Sequence, residues 1–292
     1  MKTNITIRNS TTIYDEKDRE IELLKNEIKR LRRVLNNLTP PLAILLKRRG
    51  FRIYKKEPSE DLLIPDKNFI DEYYEMLHKY SFRIFLRDVI KHQNFFTIQD
   101  VTRYSTKEVT NNYVNFLIKI KVLEKTKEGF KLKKVPIKSF GETLEWFIAE
   151  IFKREFLSEA IWGVKVKRPG IGGDYDLLAK INGSILYMEI KSSPPKQIYQ
   201  NEISSFLNRV FDLIPEIAIF FLDTELRMKD KIVPMFEIEF NQRFESPPKI
   251  IRIEKELFEV SIEKPKIFII NAKDSIKNNI EKVLERYFRS YH

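Results

Sequence analysis

A chain of 292 residues, 42% hydrophobic and 33% charged, has the composition of a folded protein with room for two globular units. It contains no cysteine, which excludes disulfides and thiolate metal sites and leaves oxygen or imidazole as the available metal ligands. The net charge of +11 favours a polyanionic partner, nucleic acid first, because counterion release drives phosphates onto basic surfaces; a lysine-rich surface of the kind that accompanies high growth temperature is the other reading of that charge.

The N-terminus is polar and acidic rather than a basic stretch leading into an apolar block, and no apolar run reaches the ~18 residues of a membrane span. A cytoplasmic location without a membrane partner is expected. Within residues 15–38, Ile21, Leu24, Ile28, Leu31, Leu35 and Leu38 recur at alternating spacings of three and four, and Thr39-Pro40-Pro41 ends the pattern. This seam predicts a short coiled coil that forms a homodimer; an amphipathic helix packed on its own chain reads equally well. Residues 42–80 run from apolar and basic to acidic and helix-like, and receive no functional assignment.

Residues 81–134 read as three helices followed by a hairpin. The second helix opens at Thr97 with Asp100 three residues on, and the third at Ser105 with Glu108 in the capping-box position. Val109, Tyr113, Phe116, Leu117 and Ile120 mark a buried face, and a Glu128-Gly129 turn joins two short strands. The pattern resembles a winged helix-turn-helix domain of α+β type. That resemblance implies Lys107, Thr110, Asn111 and the wing lysines Lys125, Lys127 and Lys131 as DNA-facing residues, although such domains also serve as dimerisation or docking modules.

The segment that carries chemistry lies between 138 and 292. Asn182-Gly183, flanked by apolar segments, predicts a two-residue type I′ hairpin, because both central positions need positive φ. Pairing Ile181 with Ser184 then sets Asp176 opposite Glu189, with Cβ atoms about 4.5–5.5 Å apart. Two opposed carboxylates repel unless a cation lies between them, so a divalent metal is expected. Alternation puts Leu186, Met188 and Ile190 on an apolar face and Tyr187, Glu189 and Lys191 on the other. Lys191 thus stands beside the acids, where an ammonium can steady the charge on a phosphate under attack. The bland alternative is an exposed charge ladder on an edge hairpin. Ile217–Leu222, fully apolar, suits a buried central strand.

Gly141, Glu145, Asp176 and Glu189-Ile190-Lys191, in that order on helix, strand and strand, resemble the PD-(D/E)XK nucleases, with spacing similar to that of archaeal Holliday junction resolvases. The resemblance implies a restriction-endonuclease-like α/β core, a mixed sheet flanked by helices, and Mg²⁺ or Mn²⁺ held by Asp176, Glu189 and Glu145, with Lys191 serving the nucleophile. It also brings Gln200 toward the site. Tyr175 replaces the motif's proline. Five of the eight glycines fall between 163 and 183, and Lys165, Lys167 and Arg168 are positioned to clamp phosphates. Three histidines are too few for a histidine metal cluster, and Gly170-Ile171-Gly172-Gly173 lacks a phosphate-loop pattern. The expected activity is metal-dependent hydrolysis of DNA phosphodiesters. A DNA-binding or assembly protein that uses an inactive nuclease-like fold as scaffold, and RNA cleavage, are the rival readings.

Overall fold

The computed structural model describes residues 17, 19–28, 30–31, 34–35, 40–167 and 173–290. Leu38, Arg168, Gly170 and Gly172 lie outside the described residues. The described positions between 17 and 35 are helical, and Ile21, Leu24, Ile28, Leu31 and Leu35 of the predicted seam are all exposed.

From residue 40 the elements are α1 (Leu42–Arg48), β1 (Arg52–Lys55), α2 (Ile70–Leu77), α3 (Tyr80–Lys91), α4 (Lys107–Lys119), β2 (Leu123–Lys125) and β3 (Phe130–Leu132). They continue with α5 (Gly141–Glu155), β4 (Ala160–Lys167), β5 (Gly173–Ile181), β6 (Ser184–Lys191), α6 (Gln200–Leu213) and β7 (Ile217–Leu222), then α7 (Ile232–Arg243), β8 (Ile250–Glu254), β9 (Leu257–Val260), β10 (Lys266–Asn271) and α8 (Ile276–Arg289). Eight strands form one mixed sheet in the order β1-β4-β5-β6-β7-β10-β9-β8. The β4-β5-β6 meander is antiparallel, whereas β6, β7 and β10 run parallel at the centre, with α6 making the β6-to-β7 crossover.

Helices cover both faces. Leu144 and Phe147 of α5 and Ile280 and Val283 of α8 share one apolar cluster with Leu186, Met188 and Ile190; Leu42 and Leu46 of α1, Phe206 and Val210 of α6 and Phe236 of α7 share the other with Tyr187. The central strand β7 is buried along its length and sends alternate residues into each cluster, as its unbroken apolar sequence requires. At roughly 1.5–3 kcal/mol for each large apolar side chain buried, these two layers hold the sheet rigid beneath the site.

The N-terminal half joins this core. Residues 42–80 supply β1, an edge strand paired antiparallel to β4, and Leu63, Tyr73 and Leu77 pack in the cluster that holds α5. A basic, mostly exposed four-residue strand has no buried alternation to betray it, which is why the sequence left this segment unassigned. Between 81 and 134 the helix, helix, helix and hairpin order is present, with Leu123 facing Leu132 and Lys125 facing Phe130. Two details differ from expectation. The second helix is a single 3-10 turn, Ile98–Val101, closed by the predicted Thr97 and Asp100 box. The third begins at Lys107, and its cap is Thr106, whose Oγ1 accepts from the Val109 amide, rather than Ser105.

Candidate active site

The hairpin forms with the anticipated register. Asn182 and Gly183 take φ of 45° and 77°, and pairs from Ile181↔Ser184 to Leu177↔Met188 follow in step. One residue further the regular ladder stops, and the reason lies in the neighbouring strand. Gly163 in β4 takes φ +54°, and a Cβ there would come within 2.4 Å of Pro58 Cδ, so only glycine fits. Trp162 packs in the α5-side cluster while Val164 and Val166 pack in the other, so the strand turns over at Gly163. β5 turns over with it, since Leu177 and Ala179 lie on the α5 side and Tyr175 on the opposite side. Asp176 sits at this paired kink, and its Oδ2 accepts a 2.7 Å hydrogen bond from the Ile190 amide.

The kink changes the expected arrangement of carboxylates. Glu189 points with Tyr187 to the α6 face. Its Oε1 lies 2.9 Å from Lys191 Nζ, its Oε2 lies 2.9 Å from Arg209 Nη1, and the Tyr187 hydroxyl also donates to Oε2. Lys191 is held from the other side by Glu202 Oε1 at 3.3 Å. Glu145 approaches instead from α5. Its Oε2 lies beside Gly163, 3.6 Å from where a Cβ would stand there, which is ordinary contact distance. Among the described residues no group of three or more Asp, Glu or His side chains is gathered to hold a metal ion. The sequence set Asp176 opposite Glu189 on one face, with Glu145 added from a helix by the resemblance; the chain instead turns Asp176 and Glu145 toward one space and ties Glu189 to cations.

Glu145 and Asp176 line a cavity of about 400 Å³ closed by the loop that carries Pro58. That loop is pinned to the first turn of α5, because Glu142 accepts from the Asp61 amide and Thr143 Oγ1 from the Leu63 amide, both at 2.9 Å. Six carboxylates and three lysines (Lys55, Lys138 and Lys165) line the cavity, an acidic excess on a basic chain. Burial, then the facing Asp176, raises the Glu145 carboxyl far above the usual carboxylate range; burial, then Glu189, raises Asp176, with Lys191 and the Ile190 amide working against it. Two carboxyls driven toward keeping their protons are a donor set that a divalent cation suits, since it replaces the protons and removes the repulsion. Burial works against the Lys191 charge, but Glu189, Asp176 and Glu202 together raise its pKa above the ordinary value.

Of the remaining sequence-derived residues that are described, only Lys165 lines this cavity. Gln200 is not directed at the site: its amide donates at 2.9 Å to Met235 O and to Glu239 Oε1, which ties α6 to α7. Lys165 pairs with Asp174 at 3.0 Å and lines the cavity, while Lys167 is exposed over the Tyr54 ring. Lys107, Asn111, Lys125 and Lys127 are exposed, and Lys131 lies 3.5 Å from Glu124. Thr110 does not face solvent. It is fully buried, and its hydroxyl bonds Ser105 Oγ and Thr106 O. Arg209 was missed. It lies seven residues after Glu202, two helical turns, so both emerge from one side of α6 in line with the buried Phe206 and Leu213, a signal visible in the sequence.

No protein-family model matches the chain, and no curated protein matches it. Solved structures resemble it only in part and at low identity. Can2 from Sulfobacillus thermosulfidooxidans in complex with cyclic tetra-adenylate is 14% identical, covering 61% of this chain and 50% of its own, with a TM-score of 0.42. Protein VC1899 from Vibrio cholerae is 13% identical, covering 84% and 60%, with a TM-score of 0.46. The chain thus spans about half the length of these proteins. The chain itself is an α/β fold with a large mixed sheet flanked by helices. No described helix is long and apolar enough to cross a membrane.

Proposed function

We propose that this chain is a metal-dependent DNA endonuclease of PD-(D/E)XK type. The observation that carries the reading is the pairing of Glu145 and Asp176 in one acidic cavity, both carboxyls raised by burial and then by a neighbouring carboxylate (Asp176 for Glu145, Glu189 for Asp176), beside a lysine clamped between Glu189 and Glu202. Asp176 and Glu145 would hold Mg²⁺ or Mn²⁺ directly, and Glu189, through the oxygen it shares with Lys191, would complete the shell. Such a cation supplies positive charge to the phosphate under attack and makes water easier to deprotonate.

The chain's own residues do the rest. Glu189 and Glu202 fix the Lys191 ammonium so that it meets the reacting phosphate without reorganising. Arg209 neutralises the buried Glu189, which would otherwise draw the lysine fully to itself. The kink at Gly163 opens the sheet so that Glu145 reaches Asp176 from the opposite layer. Lys55, Lys138 and Lys165 around the cavity offer contacts to the flanking phosphates.

The rival reading, a DNA-binding or assembly protein that keeps the fold as scaffold, is favoured by one observation: both oxygens of Glu189 are taken by cations. Incubation with linear, nicked, flapped and four-way DNA in Mg²⁺ or Mn²⁺ separates the two. Metal-dependent strand scission supports the nuclease; binding without scission in either metal supports the scaffold.

A further inference from the structure

A second cavity, of about 480 Å³, opens beyond the carboxyl ends of β6 and β7. Crevices outside the carboxyl ends of parallel strands are where open α/β sheets take their ligands, and this volume lies in the range of about 300–1,000 Å³ that small ligands occupy. Its walls come from three places: Pro194 and Gln197 after β6, Asp223 to Leu226 after β7, and Tyr80, Ile84 and Arg87 of α3 with Tyr104 across from them. The cavity adjoins the candidate active site through the backbone, because the Asp223 amide donates to the Lys191 carbonyl at 2.8 Å. Resting on the nuclease reading, we propose that this cavity is a nucleobase pocket, which holds an unpaired nucleotide of a single-stranded DNA segment adjoining the scissile phosphate.

The walls have the chemistry of a base site. Tyr104 and Leu226 are more than half exposed at the mouth, at 56% and 59%, so an aromatic face and an aliphatic side chain stand open to a ligand. Single-stranded nucleic acid is held by such faces together with basic groups that follow the backbone. Arg103, Lys196 and Arg227, the exposed neighbours in sequence of the lining residues Tyr104, Gln197 and Leu226, supply those charges, and the Arg103 guanidinium lies 5.2 Å from the Tyr104 ring centroid. The floor is rigid. Asp223 is fully buried, gripped by both Nε and Nη2 of Arg83 at 2.8–3.1 Å and by Arg87. In the same wall Arg87 Nε and Asp88 Oδ2 are buried without hydrogen-bond partners, a donor and an acceptor that the protein itself leaves unmatched. With Asp88, Asp223 and Glu225 in the lining, the interior suits a neutral base and leaves phosphates to the rim. A base stacked inside a duplex cannot enter it without leaving the stack, so the favoured substrates are flapped, forked or otherwise partly single-stranded DNA.

The test uses the full chain in EDTA, where binding is read without cleavage. Probes carrying 2-aminopurine are a DNA duplex with a single-stranded flap, the same duplex blunt, the matching RNA flap, and the free nucleoside. Flapped DNA should bind about tenfold tighter than blunt DNA and show the fluorescence quench of a stacked base, which Tyr104→Ala removes and Tyr104→Phe retains. Equal affinity for flapped and blunt DNA, a quench unchanged in Tyr104→Ala, a preference for the RNA flap, or quenching of the free nucleoside with no preference among the duplexes would each overturn the proposal. Cleavage is measured separately with Mg²⁺. Flap-selective binding without scission would sink the nuclease reading and leave the pocket standing; scission without flap selectivity would do the reverse.

Discussion

Asp176→Asn should make the metal-free protein more stable, not less. In the wild type the carboxyl is raised by burial and by Glu189, so the folded state holds it at a cost whenever the unfolded chain would ionise it. Asparagine keeps an oxygen for the Ile190 amide, bonded at 2.7 Å, and removes the charge. Burial and Glu189 push the carboxyl up to about 8, so at about 1.4 kcal/mol per pH unit between the ordinary carboxylate value and pH 7 the variant should gain on the order of 4 kcal/mol. The sign follows from proton linkage: above the usual carboxylate range the unfolded chain binds fewer protons than the folded one, so wild-type stability falls as pH rises and the variant lacks that loss. The gain should therefore shrink toward pH 4. Urea melts in EDTA at pH 5, 7 and 8 measure it. With Mg²⁺ the order should reverse, since only the wild type gains binding free energy at the site. A variant that melts several degrees lower in EDTA at pH 7 would make the carboxylate structural and refute the reasoning.

Lys191→Ala should lose turnover far more than DNA affinity, whereas Lys107→Ala or Lys125→Ala should weaken binding and lower its salt slope by about one each, as read by cleavage kinetics and salt-dependent titrations. Arg209→Met strands the buried Glu189 with one cation fewer and should cost about 2–4 kcal/mol in denaturant melts, and the double variant with Glu189→Gln should recover much of it. Metal affinity by calorimetry should rise with pH, with proton release, because binding must displace protons from carboxyls raised above their usual range. Deleting residues 1–38 should convert a dimer to a monomer by light scattering, and the monomer should accumulate nicked duplex; an unchanged dimer would place the interface elsewhere.

The hairpin was legible because its cause is local. Asn182-Gly183 sets the turn, and the turn numbers every pair to Leu177↔Met188. The buried run of β7 was legible for a similar reason, since every residue of it is apolar. What the sequence hid depends on distant partners. Gly163 carries positive φ where Pro58, more than a hundred residues earlier, leaves no room for a Cβ, and this kink moves Asp176 out of the simple alternation that set it against Glu189. The pairing of Arg209 with Glu189 requires the phase of α6 against the sheet, which periodicity gives only up to rotation. Gln200 lost its assigned place to the same phase, because α7 supplies its partners. The winged-helix resemblance made Thr110 DNA-facing, yet it packs inward with its hydroxyl satisfied by Ser105 and Thr106.

The central claim, that Glu145 and Asp176 form a metal-dependent phosphodiesterase site, is tested most directly by incubating flapped and four-way DNA with wild type, Asp176→Asn and Glu145→Gln proteins in Mg²⁺, Mn²⁺ or EDTA. The account predicts strand scission by the wild type in either metal, none in EDTA, and none by either variant although both remain folded and bind DNA. Scission that survives in the two variants, or intact binding with no scission in either metal, would contradict it.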